Sequence, residues 1–221
     1  MRGELDHLAV ARTPDDIRPA HLETLRQLWD NGTWTADAGF LAAVARRVLS
    51  EPGPCLDCGS GLSTLMLGAL TRTRRDPVWS LEQDVEWSRV MGRALDAFGF
   101  DHVRLRHAPL RAWPDFVWYD VPDGWFPERF RVICCDGPAV HRAPWSPDQF
   151  TGWRAGLVDV LDRGATGFDT ILLDDAEDKR AGALVARWTR AGIETEVVST
   201  PTGPYIVGRR RSGGEAPARP A

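Results

Sequence analysis

The apolar positions of this 221-residue chain change period several times, and each change marks an element. Leu22, Leu25, Leu28 and Trp29 recur at helical spacing between Pro19 and Asp30, and Asn31-Gly32 supplies a C-terminal stop. Thr35 or Asp37 can cap a second helix through Phe40, Leu41, Val44 and Val48 to Ser50, which Pro52-Gly53-Pro54 ends. Two helices are therefore expected ahead of the first strand, covering a sheet edge or roofing a ligand cleft. Trp34, in the loop between them, is a roof residue or a packing residue.

From Pro54 onward short apolar runs alternate with amphipathic stretches. Runs ending at Asp57, Glu82, His107, Cys135 and Leu173 read as strands. Asp84 caps a helix through Trp87, Met91, Leu95 and Phe98 to Gly99, and Ser146-Pro147 opens another with Phe150, Trp153, Leu157, Val160 and Leu161 inward. A further helix is expected from about Asp178 to Ala191. This alternation predicts an α/β fold with a parallel sheet. Two last runs, Ile193 to Val198 and Tyr205 to Gly208, are only a turn apart and should pair antiparallel. Between Trp113 and Phe130 an aromatic stretch is broken by prolines and Gly124, so it reads as an excursion covering the sheet or lining a pocket. The tail from Ser212 to Ala221 has little apolar content and is expected to be disordered.

Composition narrows the function classes. Hydrophobic residues are 43% and charged ones 26%, as in a soluble globular protein, and 221 residues suit one α/β domain. The net charge of −4 provides no global positive field to gather nucleic acid. No apolar run reaches the length of a membrane span and Met1 to Asp6 lacks a signal-peptide pattern, so a cytoplasmic location is expected. Cys55, Cys58, Cys134 and Cys135 fall in predicted strands. Reduced buried thiols are the expected state, because alternate strand residues face opposite ways and a four-thiolate zinc site is awkward to build.

The chemistry concentrates at Asp57-Cys58-Gly59-Ser60-Gly61-Leu62-Ser63-Thr64, a strand end, a glycine turn and a helix start. Gly59 and Gly61 leave room for backbone to approach a bound molecule. Thr64 stands where a dinucleotide fingerprint has its third glycine, and Asp57 would repel a pyrophosphate while suiting an ammonium group. Glu82, 23 positions beyond Gly59, can accept hydrogen bonds from ribose hydroxyls. Asp136, Asp174 and Asp175 end the next strands, and three converging carboxylates require a cation or protons.

The Asp57 to Gly61 loop with Glu82 resembles the cofactor motifs of class I S-adenosylmethionine-dependent methyltransferases. The terminal strand pair is similar too, and the resemblance covers residues 54 to 209. It implies a Rossmann-like, doubly wound, mostly parallel seven-stranded sheet with an antiparallel last strand, after an N-terminal helical addition. The implied division is a helical cap over residues 1–53, a cofactor-binding domain over 54–211 and a tail over 212–221. The implied cofactor site comprises Asp57, Gly59, Ser60, Gly61, Ser63, Glu82, Gln83, Ala108, Leu110 and Asp136. The Asp136, Asp174 and Asp175 set looks like that of cation-dependent O-methyltransferases, which implies Mg2+ or Mn2+, although Asp136-Gly137-Pro138 also occurs in sugar and other small-molecule relatives. Asp136 or His141 is the candidate base, and Arg142 a candidate anion contact. His107, at a strand end, reads as structural.

The expected reaction is methylation of a small molecule, directed to oxygen. The expected partners are that substrate and at most a second copy in a homodimer, with neither nucleic acid nor membrane. The competing readings are an enzyme that transfers or cyclises the aminobutyl group, a nicotinamide-dependent oxidoreductase, and a non-catalytic binding module.

Overall fold

In the computed structural model, the residues described are 1–114, 116–139, 154, 156–178 and 180–210. His141, Arg142, the expected helix start at Ser146-Pro147 with Phe150 and Trp153, and the tail from 212 to 221 lie outside them.

Three α-helices, not two, precede the first strand: α1 (Arg2–Val10), α2 (Pro19–Trp29) and α3 (Ala38–Ser50). Helix α1 escapes a reading by periodicity because only Leu5 and Leu8 of its residues are buried. Asp37 caps α3 by accepting from the Phe40 N–H at 2.9 Å. Eight residues of α3 are buried, including Phe40, Leu41, Val44 and Val48. Burying each such large apolar side chain contributes roughly 1.5–3 kcal/mol relative to exposure.

The remainder alternates as expected. In order come β1 (Cys55–Cys58), α4 (Leu62–Thr71), β2 (Val78–Glu82), α5 (Val85–Phe98) and β3 (Val103–His107). Then follow β4 (Leu110–Ala112), β5 (Val117–Tyr119), β6 (Arg129–Cys135), α6 (Gly156–Arg163), β7 (Gly167–Leu173), α7 (Ala181–Arg190), β8 (Ile193–Thr200) and β9 (Gly203–Arg210). The seven-stranded sheet has the order β3-β2-β1-β6-β7-β9-β8. Its pairings are parallel from β3 to β7, while β9 runs antiparallel to both β7 and β8. The strands β4, just before the aromatic excursion, and β5, within it, which sequence reading missed, form a separate antiparallel pair. They are only three residues each, too short to show a period of two.

Two apolar layers flank the sheet. One joins α1, α2, α3 and α4 to Cys55, Val78, Val132, Cys134 and Leu172, so residues 1–53 share a core with the glycine-loop helix. The other gathers Trp118, Tyr119, Phe130, Phe168 and Trp188 around Leu56, Cys58 and Cys135. The four cysteines thus split between opposite faces, and all are free and buried. Burial raises the Cys58 and Cys134 thiol pKa values well above the usual range, which keeps them protonated.

Strand order reverses at β1. The chain moves outward from β1 to β3 and returns to β6 on the other side, leaving a crevice beyond the carboxyl ends of β1 and β6. No helix among the described residues is long and apolar enough to cross a membrane.

Candidate functional site

A cleft of about 650 Å³ opens at that crevice. Gly59 and Ser60 line it after β1, Glu82, Gln83 and Asp84 after β2, Asp136 to Ala139 after β6, and Asp174 and Asp175 after β7. Trp34, 46% exposed, and Asp37 lie on the side supplied by the helical segment, and Thr202 comes from the turn between β8 and β9.

Local bonds set the shape of this cleft. Gly59 has φ +105°, and a Cβ there would meet the Gly137 backbone N at 2.9 Å. Its close approach is therefore to the end of β6. Gly61 is extended and a Cβ would meet nothing within 4 Å, so no contact within the protein demands glycine there. Trp87 donates to the Ser60 carbonyl at 2.9 Å, and Gln83 donates to the Ala139 carbonyl at 3.3 Å, tying the ends of β2 and β6 together.

Glu82 is 5% exposed and accepts from the Ser60 hydroxyl at 2.6 Å and the Asp84 N–H at 2.8 Å. One oxygen receives each donor, and each keeps a second lone pair for a ligand hydroxyl. Burial raises its pKa, with the Ser60 bond opposing that shift.

Asp57 behaves differently from the expectation of a direct ammonium contact. It is fully buried and does not line the cleft. Its Oδ2 accepts from Thr64 at 2.5 Å, Ser63 at 3.2 Å and Ser80 at 3.5 Å, while Thr64 also accepts from the Gly61 N–H at 3.0 Å. The acid thus braces the glycine loop onto the first turn of α4. Desolvation by burial, opposed by Thr64 and Ser63, pushes its pKa up to about 7. Ser63, Gly61, Ala108 and Leu110 also lie outside the cleft lining, Ala108 because it is packed into the core. Among the expected cofactor residues the structure brings together Gly59, Ser60, Glu82, Gln83 and Asp136. His107 donates from Nε2 to the Gln83 carbonyl at 3.2 Å.

At the acidic end, one oxygen each of Asp136, Asp174 and Asp175 lies within 4.8 Å of the others. That donor set would suit a hard cation on composition alone. A residue that sequence reading did not single out stands among them. Arg154, 5% exposed, donates from Nη2 to Asp175 at 2.7 Å and lies 3.4 Å from the Asp136 carboxylate. It also bonds the Asp136 and Asp174 backbone carbonyls. Among the described residues, the positive charge beside these acids is the Arg154 guanidinium. The signal available in the sequence was the demand for a cation itself, which any arginine between the fourth and fifth expected strands could meet.

Asp174 is 6% exposed, and no side chain among the described residues donates to it. Burial, then the neighbouring charges of Asp136 and Asp175, push its pKa up to about 8. Burial raises the Asp136 pKa as well, against the pull of Arg154. The group of acids is thus relieved both by a cation and by a retained proton.

No family model matches this chain, and no curated protein matches it. Solved structures do. The N-terminal domain of human METTL16 in complex with S-adenosylhomocysteine shares 10% identity at a TM-score of 0.58, covering 89% of this chain and 82% of that one. A precorrin-6Y C5,15-methyltransferase from Geobacter metallireducens shares 16% at 0.57, covering 82% and 92%. The methyltransferase PaMTH1 of Podospora anserina, bound to S-adenosylhomocysteine, shares 16% at 0.53, covering 87% of each chain. The chain therefore has the Rossmann-like methyltransferase fold. These likenesses also correct the expectation that nucleic acid is excluded. The matches include METTL16 domains, and a global charge of −4 does not by itself remove nucleic acid from the possible substrates.

Proposed function

We propose that this protein is an S-adenosylmethionine-dependent methyltransferase acting on an oxygen of a small molecule. The observation that carries the reading is the pairing of Glu82 with the Gly59-Ser60 turn at the switch point of the sheet. The carboxylate of Glu82 accepts the ribose hydroxyls, and the turn leaves the nucleoside room beside β1. Gln83 and Asp136 complete the cofactor side. Asp57 serves by holding the loop and helix in place. Residues 1–53 act as a cap on the domain formed by 54–211, with Trp34 and Asp37 over the acceptor.

Methyl transfer from a sulfonium needs alignment in a dry pocket and removal of a proton from the attacking atom. Asp174 is the base in this reading. It lines the cleft and is nearly enclosed, and its pKa near 8 matches the removal of a proton around neutral pH. Asp136 orients the acceptor, fixed by Arg154. His141 and Arg142 remain candidates for acceptor contacts. No step passes through a metal, because Arg154 already serves the carboxylates that would bind one.

Calorimetric titration with S-adenosylmethionine, S-adenosylhomocysteine and NAD tests the cofactor, and binding of NAD alone sinks the proposal. Incubating the protein and methyl-labelled cofactor with a metabolite extract and, separately, with total RNA tests the acceptor. Label appearing only in RNA would replace the small-molecule part of the reading and leave the cofactor part intact.

A further inference from the structure

A second cavity, of about 780 Å³, lies between α2, α3 and the turn joining β8 to β9. Thr202 lines both this cavity and the cleft, and its hydroxyl donates to Asp37 at 2.6 Å, so that contact forms part of the wall between them. The cavity exists because α3 presents alanines, Ala42 and Ala43, where larger side chains would reach Leu172 and Val207 on the sheet. Its volume falls in the range of small-molecule pockets, roughly 300–1,000 Å³.

Its polar groups are few and unequal in sign. Tyr205 is only 9% exposed, with its ring edge-on to Phe40 at 5.9 Å, and its hydroxyl has no hydrogen-bond partner among the described residues. That hydroxyl is accessible and is available to a polar ligand entering the cavity. Arg46 donates to the Ile17 carbonyl at 3.0 Å and forms no ion pair among the described residues. Arg47 beside it pairs with Glu51 at 3.0 Å, and the one lining carboxylate, Glu23, is matched by Arg26 at 2.9 Å. What the cavity offers a ligand is therefore an exposed cation with no ion-pair partner among the described residues and an accessible hydroxyl, beside an apolar floor.

We propose that this cavity binds a small organic acid with an apolar body, the body lying on Ala42, Ala43, Leu172 and Val207 and the carboxylate meeting Arg46 and the Tyr205 hydroxyl. Both an alkyl and an aromatic body satisfy this chemistry. Neither cofactor nor methyl transfer is required, so the site stands independently of the reaction assigned to the cleft.

The test is calorimetry on the full chain with decanoate and 4-butylbenzoate, and with decanol as the uncharged comparison. Saturable binding of one equivalent of at least one acid is expected, with decanol about tenfold weaker or more, a difference of about 1.4 kcal/mol. The two acids distinguish an alkyl from an aromatic occupant. Arg46→Gln should weaken the acids about tenfold and leave decanol unchanged, and Tyr205→Phe should weaken them severalfold. Ala43→Phe should fill the space and abolish binding, with thermal melts confirming that each variant folds. Absence of saturable binding by either acid, equal affinity for acid and alcohol, or undiminished binding by Ala43→Phe would overturn the proposal. So would a dimer in sedimentation that Ala43→Phe dissociates, which would assign the groove to a second copy of this chain.

Discussion

Arg154 reaches Asp175 at 2.7 Å and Asp136 at 3.4 Å with the same guanidinium nitrogen, linking the loops that follow β6 and β7. Removing one partner of a buried charge cluster typically costs about 3–5 kcal/mol, because the remaining charges stay enclosed. Arg154→Met should therefore lower stability in urea by a few kcal/mol. It should also strengthen cation binding at these acids. With the guanidinium gone, three carboxylates face one another within 4.8 Å, and Mn2+ should bind in calorimetry, stabilising the variant against heat. Tight Mn2+ binding by the native protein, lost on Asp174→Asn, would contradict the role given to Arg154.

Glu82 is the most direct test of the cofactor site. Glu82→Gln keeps an acceptor but makes the proposed ribose contact neutral, while the Ser60 hydroxyl and Asp84 N–H lose a charged partner. Bonds to charged groups are worth about 1.5–3 kcal/mol, so S-adenosylhomocysteine affinity should fall about tenfold or more. Calorimetry measures it, and an unchanged affinity would place the nucleoside elsewhere.

Acidity should act on stability and on turnover in opposite directions. Asp57 and Asp174 have folded pKa values of about 7 and about 8, above the ordinary aspartate value of 3.8. Between that value and the folded one, the native state holds protons that the unfolded chain has released. Stability contributed by these groups is therefore present at low pH and lost as pH rises from about 4 toward 8, by an amount of order a few kcal/mol. If Asp174 is the base, as proposed, turnover follows its ionised form and kcat should rise through about pH 8. Asp174→Asn should flatten the upper part of the stability profile and abolish turnover while S-adenosylhomocysteine still binds. Urea denaturation and rate measurements across pH 5 to 9 check both.

The two glycines of the loop should not respond alike. At Gly59 a methyl group would sit 2.9 Å from the Gly137 backbone at a positive φ, so Gly59→Ala should cost about 2 kcal/mol or more. At Gly61 a methyl group meets nothing, and Gly61→Ala should change stability by no more than about 0.5 kcal/mol. Chemical denaturation of the two variants provides the comparison.

The chain alone specifies the elements whose information is local. Asp37 and Asp84 cap helices where their side chains can reach an N–H two or three residues on, and both do. The alternation of apolar runs with amphipathic helices, and the short link before the last strand, likewise announce the mostly parallel sheet and its antiparallel finish. Glu82 was legible because a strand end at the right interval from a glycine turn has a limited set of places to be. The short β4 and β5 pair and helix α1 carry too few buried positions to display a period.

Which groups share the cleft was decided by packing across long separations. Asp57 looks in the sequence like a ligand contact, yet the alternation of side chains along β1 turns it toward Thr64 and Ser80. Arg154 is 18 residues from Asp136 and 21 from Asp175, and no spacing rule joins them. The sequence could state that three acids need a counter-charge, since that follows from Coulomb's law and strand order. Choosing between a metal, a proton and an arginine required the folded chain, because burial and distance set that competition and neither is a property of residues taken in order.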